Sequence, residues 1–216
     1  MAERPNPAPG SVAGQVTGVI LAGGRATRMG GDDKGLIPVN GRPMIRWVID
    51  VLRPQVAEVL INANRNLDQY RALGFPVIDD GDREFRGPLA GIAAGMRAAT
   101  GTYVAFAPCD SPLVCSDLVS RLHAALSAKG SRIAVAHDGE RLQPVFALLD
   151  RSLLDDLVQY LDGGGRKIDR WYEGHGYACA DFSDVAGSFA NINAPDEKQA
   201  LERRLGPGAD QEETKI

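Results

Sequence analysis

The stretch Gly18-Val19-Ile20-Leu21-Ala22-Gly23-Gly24-Arg25-Ala26-Thr27-Arg28-Met29-Gly30-Gly31-Asp32-Asp33-Lys34 decides how the chain is read. It opens with a short apolar run, Val19-Ile20-Leu21, rich in β-branched residues. A run of that kind ended by glycines suits a strand buried on both faces of a parallel sheet. A loop follows that carries Gly23, Gly24, Gly30 and Gly31 and three cations, Arg25, Arg28 and Lys34. Glycine lets a backbone turn tightly and approach a ligand closely, so successive N–H groups can converge on an anion. The cations add charge-assisted hydrogen bonds. Strand, glycine loop and bases in that order are what a triphosphate site requires. The stretch contains neither Gly-x-x-x-x-Gly-Lys-Ser/Thr nor Gly-x-Gly-x-x-Gly after the strand, which sets it apart from the two commonest phosphate loops. By composition alone, a surface loop with solvated arginines fits equally well.

Working outward, the 216 residues suffice for one domain with a substantial core. Hydrophobic content of 44% and charged content of 24% are ordinary for a globular protein. A net charge of −4 argues against general nucleic-acid binding, although a basic site can sit on an acidic protein. No apolar run approaches the roughly 20 residues that span a bilayer. The proline-rich start, residues 1–14, has no hydrophobic segment and reads as a disordered tail, not a secretory signal. Residues 15–206 read as the single domain, and residues 207–216 as a polar tail. Cys109, Cys115 and Cys179 match no metal spacing and read as free thiols of a reducing cytoplasm.

Beyond the loop the pattern alternates. Asn40-Gly41 marks a turn, and Gly41-Arg42-Pro43-Met44 opens a helix with proline in its first turn. Ile45, Val48, Ile49 and Leu52 share one helical face, which Pro54 ends. Strands are expected at 57–61, 76–78 and 102–107, and helices at 67–73, 88–99 and 117–128, the last capped by Ser116. Gly91 and Gly95 share a face of the second of these helices and permit close packing. Strands at 132–137 and 143–149 flank a hairpin loop at 138–142. Helices follow at 151–161 and 167–172, then a strand at 177–182, an extended piece at 188–193 and a last helix from Pro195. Strands alternating with helices imply right-handed crossovers and a parallel sheet, to which the hairpin adds antiparallel strands. The fold class is therefore α/β, a three-layer Rossmann-like domain with a mostly parallel, mixed central sheet. Ligands bind such sheets at the carboxyl ends of strands. The Gly23 loop, Asn62, Asp80 and Asp110 all fall there.

Each of these positions has a chemistry. Lys34 is a point charge on a flexible stem that can follow phosphate charge during transfer. Asp110 ends an apolar strand before Ser111-Pro112. Mg²⁺ is often held by one or two carboxylates plus substrate phosphates, so one aspartate can suffice; an Asx-turn is the alternative. A carboxylate such as Asp80 can accept N–H donors, and an amide such as Asn62 offers both a donor and an acceptor. Arg166 and Lys167 read as a solvated helix end.

The ordered residues Leu21-Ala22-Gly23-Gly24, Arg28-Met29-Gly30-Gly31 and Asp33-Lys34 resemble the signature of nucleotidyltransferases that activate small phosphorylated molecules. The best match is the molybdenum cofactor guanylyltransferase family. Segments resembling that family recur in its order: Gly87-Pro88-Leu89-Ala90-Gly91, Pro108-Cys109-Asp110-Ser111-Pro112, His137-Asp138-Gly139-Glu140-Arg141 and Asn191-Ile192-Asn193-Ala194-Pro195. The resemblance implies a nucleotidyltransferase fold. It implies that GMP passes from GTP to the terminal phosphate of molybdenum-molybdopterin, with loss of pyrophosphate. It places the nucleotide on Leu21, Ala22, Gly23, Gly24, Lys34, Asn62, Asp80 and Asp110. Lys34, Arg28 and Asp110 become the catalytic residues, with Mg²⁺ on Asp110. Gly87, Gly91, Asn191 and Asn193 are implied on the side of the pterin substrate. Molybdoenzymes or their chaperones are implied as further partners. The rival readings are a cytidylyltransferase for the same pterin, a sugar-1-phosphate nucleotidyltransferase, and a GTP-binding maturation factor without catalysis.

Overall fold

A computed structural model of the chain describes residues 12–23, 33–81, 87–192 and 194–205. Its centre is the strand anticipated from the opening stretch, β1 (Val16–Leu21), buried on both faces. It pairs in parallel with β4 (Glu58–Asn62) on one side and β6 (Tyr103–Pro108) on the other. Between β1 and β4 lie a small antiparallel hairpin, β2 (Pro38–Val39) with β3 (Arg42–Pro43), and helix α1 (Met44–Leu52). Outward from β4 come α2 (Leu67–Arg71) and the edge strand β5 (Val77–Ile78). Helix α3 (Pro88–Ala98) then carries the chain back to β6.

The second half adds α4 (Leu118–Lys129), β7 (Ile133–His137), β8 (Leu142–Asp150), α5 (Leu154–Asp162), α6 (Ile168–His175), β9 (Ala178–Asp181) and α7 (Pro195–Leu205). The sheet order is β5-β4-β1-β6-β8-β7-β9. β8 runs antiparallel to both β6 and β7, and β9 returns parallel to β7. The mixed, mostly parallel sheet expected from the alternation is the sheet observed.

The period of two along each strand sorts the core into two layers. Val16 and Ile20 of β1, Val59 and Ile61 of β4, and Ala105 and Ala107 of β6 face α1 and α4. Val19, Leu60, Val104 and Phe106 face the opposite way, toward α3, α5 and α6. A third, small cluster joins Val39 and Met44 to Ile192 and Leu201, so α7 packs on the β2–β3 hairpin. Asn40 at the hairpin tip donates from its side chain to the Glu202 carbonyl at 2.8 Å. Among the described residues no helix is long and apolar enough to cross a membrane.

Several local expectations need correction. Pro43 does not lie in the first turn of α1; it is the last residue of β3, with extended ψ, and the helix begins at Met44. The Asn40-Gly41 turn closes a hairpin, and that pairing claims Arg42 and Pro43 before the helix can. Asp117, not Ser116, occupies the N-cap of α4, and its carboxylate takes the Arg121 guanidinium at 2.7 Å. Ser188 and Phe189 belong to a 3₁₀ segment, Ser183–Phe189, where an extended piece was expected. Its Phe189 ring packs edge-on against Phe146 and Phe182, which overrides local propensity. α6 runs on to His175, whose Nε2 meets Asp156 at 2.7 Å. The tails expected at 1–14 and 207–216 lie outside the described residues, except Val12–Gly14, which enter a 3₁₀ turn at Ala13–Gln15.

Candidate active site

Strand register builds the floor of the site. Leu21 is level with Asn62 on one side and with Pro108 on the other. One further hydrogen bond ties each neighbour beyond the strands: the Ala22 N–H donates to the Asn62 carbonyl at 2.8 Å, and the Cys109 N–H donates to the Leu21 carbonyl at 3.0 Å. Three segments therefore leave the sheet side by side at their carboxyl ends. The chain after β1 builds outward through β4 and β5, and the chain after β5 crosses back to β6. That reversal is the switch point at which open α/β sheets hold ligands. A cavity of about 550 Å³ lies there, within the range of ligand pockets. Leu21, Ala22, Gly23, Lys34, Asn62, Asp80, Gly87, Gly91 and Asp110 all line it.

Lys34 and Asp110, 76 residues apart in the chain, meet with Nζ 2.9 Å from Oδ2. Their side chains are 27% and 14% exposed, so both can reach a ligand in the cavity. Lys34 is held from behind. Asp33, 7% exposed, accepts from the Tyr70 hydroxyl at 2.5 Å and from Asn66 Nδ2 at 3.3 Å. On its other side Gly35 is wedged so tightly that a Cβ would lie 2.7 Å from Tyr70 Oη and 3.3 Å from Cys109 Cβ. Burial pushes the Tyr70 phenol well above its usual range, and its hydrogen bond to the Asp33 carboxylate adds to it. Burial likewise raises the Cys109 thiol, reinforced by the neighbouring carboxylates of Asp110 and Asp33. Cys109 is thus a neutral packing thiol, not a nucleophile.

The other half of the cavity is a cluster of amides around one carboxylate. Asn62 Nδ2 donates to Asp80 Oδ1 at 2.8 Å, and Asn64 Nδ2 donates to Asp80 Oδ2 at 2.7 Å. The Asp80 N–H donates back to Asn64 Oδ1 at 3.0 Å. Two glycines make room for these amides. A Cβ on Gly91 would lie 2.4 Å from Asn62 Oδ1, and one on Gly23 would lie 2.9 Å from Asn64 Nδ2. Gly87 precedes α3 with φ of 72°, a conformation that favours glycine, and with Pro88 it aims the helix start at the cavity. The first turn of that helix offers N–H groups and the positive end of the helix dipole.

Asn191 is exposed and is not part of the cavity wall. Its Oδ1 accepts from the buried Ser111 hydroxyl at 2.5 Å, and the next residue's N–H, on Ile192, donates to the Asp110 carbonyl at 2.9 Å. It therefore lies directly behind Asp110. Gly24, Arg25, Arg28 and Asn193, all singled out in the sequence, lie outside the described residues. The His137–Arg141 segment is accounted for by its turn: Asp138 accepts from the Glu140 and Arg141 N–H groups at 2.9 and 2.8 Å. Arg166 closes the end of α5 by donating to the Leu161 and Gly165 carbonyls.

Sequence reasoning missed Asn64 and Tyr70 as parts of the site. Asn64 had a readable signal, since polar side chains two apart at a strand end share a side. Tyr70 had none; it looks like any aromatic on an amphipathic helix. The donor set also bears on metal binding. Among the described residues no three of His, Cys, Asp and Glu cluster as a metal cage. A single hard carboxylate on an open cavity fits a cation that arrives with phosphate oxygens, not a resident structural ion.

Residues 18–176 match the model of the MobA-like NTP transferase domain. The chain is 50% identical over 190 residues to a molybdenum cofactor guanylyltransferase of Shewanella pealeana, covering 88% of this chain and 95% of that protein. It is 50% identical over 187 residues to the molybdenum cofactor guanylyltransferase of Shewanella halifaxensis. Among solved structures, it resembles molybdopterin-guanine dinucleotide biosynthesis protein A of Archaeoglobus fulgidus, with a TM-score of 0.72 and 24% identity over 88% of this chain and 98% of that one. A 4-diphosphocytidyl-2C-methyl-D-erythritol synthase of Anaerococcus prevotii shares the fold at a TM-score of 0.69 and 11% identity, over 89% of this chain and 96% of that one.

Proposed function

The chain belongs to the molybdenum cofactor guanylyltransferases of the MobA-like NTP transferase family, and from that premise we propose how its residues divide the work. The protein is a nucleotidyltransferase that passes GMP from GTP to the terminal phosphate of molybdenum-molybdopterin. A phosphate oxygen of the pterin attacks the α-phosphorus of GTP, and a new P–O bond forms there. The bond from that phosphorus to the oxygen bridging toward the β-phosphate breaks, and pyrophosphate departs with the electron pair. No covalent enzyme intermediate is needed, so catalysis rests on alignment and charge.

In our reading, guanine lies against Asn62 and Asp80, with N–H donors of the base facing the carboxylate. The triphosphate runs along Ala22 and Gly23 toward Lys34. Lys34 leaves its partner Asp110 to meet the charge that gathers on the departing pyrophosphate. Gly87 and Gly91 leave space for the second anion beside the start of α3. Asp110 would hold Mg²⁺, which neutralises phosphate charge and draws both anions into line when bound. GTP, the pterin phosphate and Mg²⁺ are the ligands of this reading, and the cytoplasm is its setting. One observation carries it: Lys34 and Asp110 share an ion pair 2.9 Å long inside the cavity that Asn62 and Asp80 also line.

The test is release of pyrophosphate from GTP and molybdenum-loaded molybdopterin by the purified protein with Mg²⁺. Asp110→Ala should abolish turnover while the circular dichroism spectrum stays native. Full Mg²⁺-dependent activity in that variant would remove Asp110 from its role. Preference for CTP over GTP in direct competition would overturn the base assignment.

A further inference from the structure

Asn64 has a tighter grip on Asp80 than Asn62 does. Its amide donates to one carboxylate oxygen at 2.7 Å and accepts the Asp80 N–H at 3.0 Å, a closed reciprocal pair. Asn62 holds the other oxygen at 2.8 Å. Each oxygen of the carboxylate therefore has one amide donor, and the plane of the group cannot turn without breaking a bond. A carboxylate has about four lone-pair sites. With one taken on each oxygen, one on each remains for a ligand in the cavity that Asp80 lines. Two acceptors side by side are the complement of the adjacent N1–H and N2–H donors of guanine. Hypoxanthine, which lacks the 2-amino group, would leave one of them unmatched, and a site built around a hydrogen bond discriminates against a ligand that cannot make it.

We infer that Asn64 is a specificity-determining positioning residue: it fixes the rotation of the Asp80 carboxylate so that both oxygens read a 2-amino-6-oxopurine. The same amide lies against Gly23, close enough that a Cβ there would approach it to 2.9 Å. It thereby sets the reader of the base at a fixed distance from the start of the glycine loop. This inference rests on the assignment of Asp80 to the base and goes beyond it.

The experiment compares dissociation constants for Mg·GTP and Mg·ITP by calorimetric titration of the full chain, its Asn64→Ala and Asn64→Asp variants, and Asp80→Ala. The natural chain should prefer GTP clearly. Asn64→Ala should lower the GTP:ITP preference by about tenfold, the scale of one charge-assisted hydrogen bond, with a native circular dichroism spectrum. Asn64→Asp, which sets a second carboxylate against the first, should lower it at least as far. If Asp80→Ala keeps the full preference, the base assignment itself is wrong and the inference falls with it. If Asp80→Ala erases the preference but both Asn64 variants keep it, Asn64 merely packs. An equal loss of affinity for both nucleotides in the Asn64 variants also refutes the positioning role.

Discussion

Gly91→Ala separates packing from recognition, because two glycines one turn apart on α3 face different neighbours. A Cβ at Gly91 would lie 2.4 Å from Asn62 Oδ1 and 3.0 Å from Leu21 Cδ2. The leucine can give way by a few tenths of an ångström; the amide must rotate, and its bond to Asp80 breaks. A Cβ at Gly95 would instead meet Phe106 Cε1 at 2.9 Å and both Val19 methyls at 3.0 Å. That neighbourhood is apolar core shared with β1 and β6. Overpacking costs about 1–3 kcal/mol at either site, and replacing a helical glycine by alanine returns roughly 1 kcal/mol. Gly95→Ala should therefore lose about 0–2 kcal/mol, or up to ~8 °C in Tm for a chain of this size, and Gly91→Ala about 1.5–3 kcal/mol more for its broken bond to a carboxylate. They part further at the ligand. The displaced Asn62 amide can no longer meet the base, and one such hydrogen bond is worth about 0.5–1.5 kcal/mol, so Gly91→Ala should raise the Kd for Mg·GTP by roughly 2- to 10-fold. Gly95→Ala should leave it unchanged. Scanning calorimetry and titration calorimetry on the same preparations read both quantities. If Gly91→Ala binds GTP as tightly as the natural chain, the Asn62–Asp80 pair does not form part of the nucleotide site.

Three further outcomes follow from other contacts. Tyr70→Phe removes the hydroxyl that the buried Asp33 accepts from and should cost about 1.5–3 kcal/mol; kcat should fall because the anchor of Lys34 loosens, and an unchanged Tm and kcat would show that Asn66 alone suffices. Glu58 accepts from Thr17 Oγ1 at 2.7 Å and from the Thr100 N–H; burial alone would raise its carboxyl, but the Thr100 and Thr17 hydrogen bonds outweigh that and leave it below the usual carboxylate range. A depressed folded value means that the stabilisation is full above the unfolded value and is lost as pH falls through the folded one. Glu58→Gln should thus be less stable than the natural chain at pH 7, and the gap in urea midpoint should begin to narrow below about pH 4.3 and close at lower pH; a constant gap would refute the linkage. Among the thiols, Cys179 is exposed and Cys109 is buried and held neutral, so a disulfide reagent should modify Cys179 in the native protein and reach Cys109 only on unfolding.

The sheet was legible because its signals are local. Val19-Ile20-Leu21 and Tyr103–Ala107 are apolar runs ended by glycine or proline, and the faces they present follow from a period of two. The strand ends that line the cavity were legible for the same reason: Asn62 ends β4, and Asp80 and Asp110 each lie two residues past the end of a strand. What the sequence hid was contact across distance. Nothing local to Tyr70 points to Asp33, 37 residues earlier, and nothing local to Ser111 points to Asn191, 80 residues later. Propensity also yielded to tertiary packing at Pro43, which the β2–β3 hairpin took from the helix, and at Phe189, which two aromatic rings drew into a 3₁₀ turn.

Charge supports a divalent ion in the proposed reaction. The charged residues that line the cavity, among those described, are Asp33, Lys34, Asp80 and Asp110, so one cation faces three carboxylates. Asp33 is turned into its clamp with Tyr70 and Asp80 into its amides, but Asp110 and Lys34 already neutralise each other. A bare triphosphate entering this space would meet no net attraction from these side chains. In the proposed reaction the ion pair would divide: Lys34 would turn to phosphate oxygen, and Asp110 would be left to hold a divalent cation. On that reading the pair is a resting arrangement in which each partner holds the place of the other's ligand. Removing either one leaves an uncompensated charge at 14–27% exposure, so Lys34→Met should strengthen Mg²⁺ binding at Asp110 in the absence of nucleotide while turnover collapses. Metal titration of that variant decides the point: affinity no higher than in the natural chain would mean that Lys34 does not compete for the carboxylate.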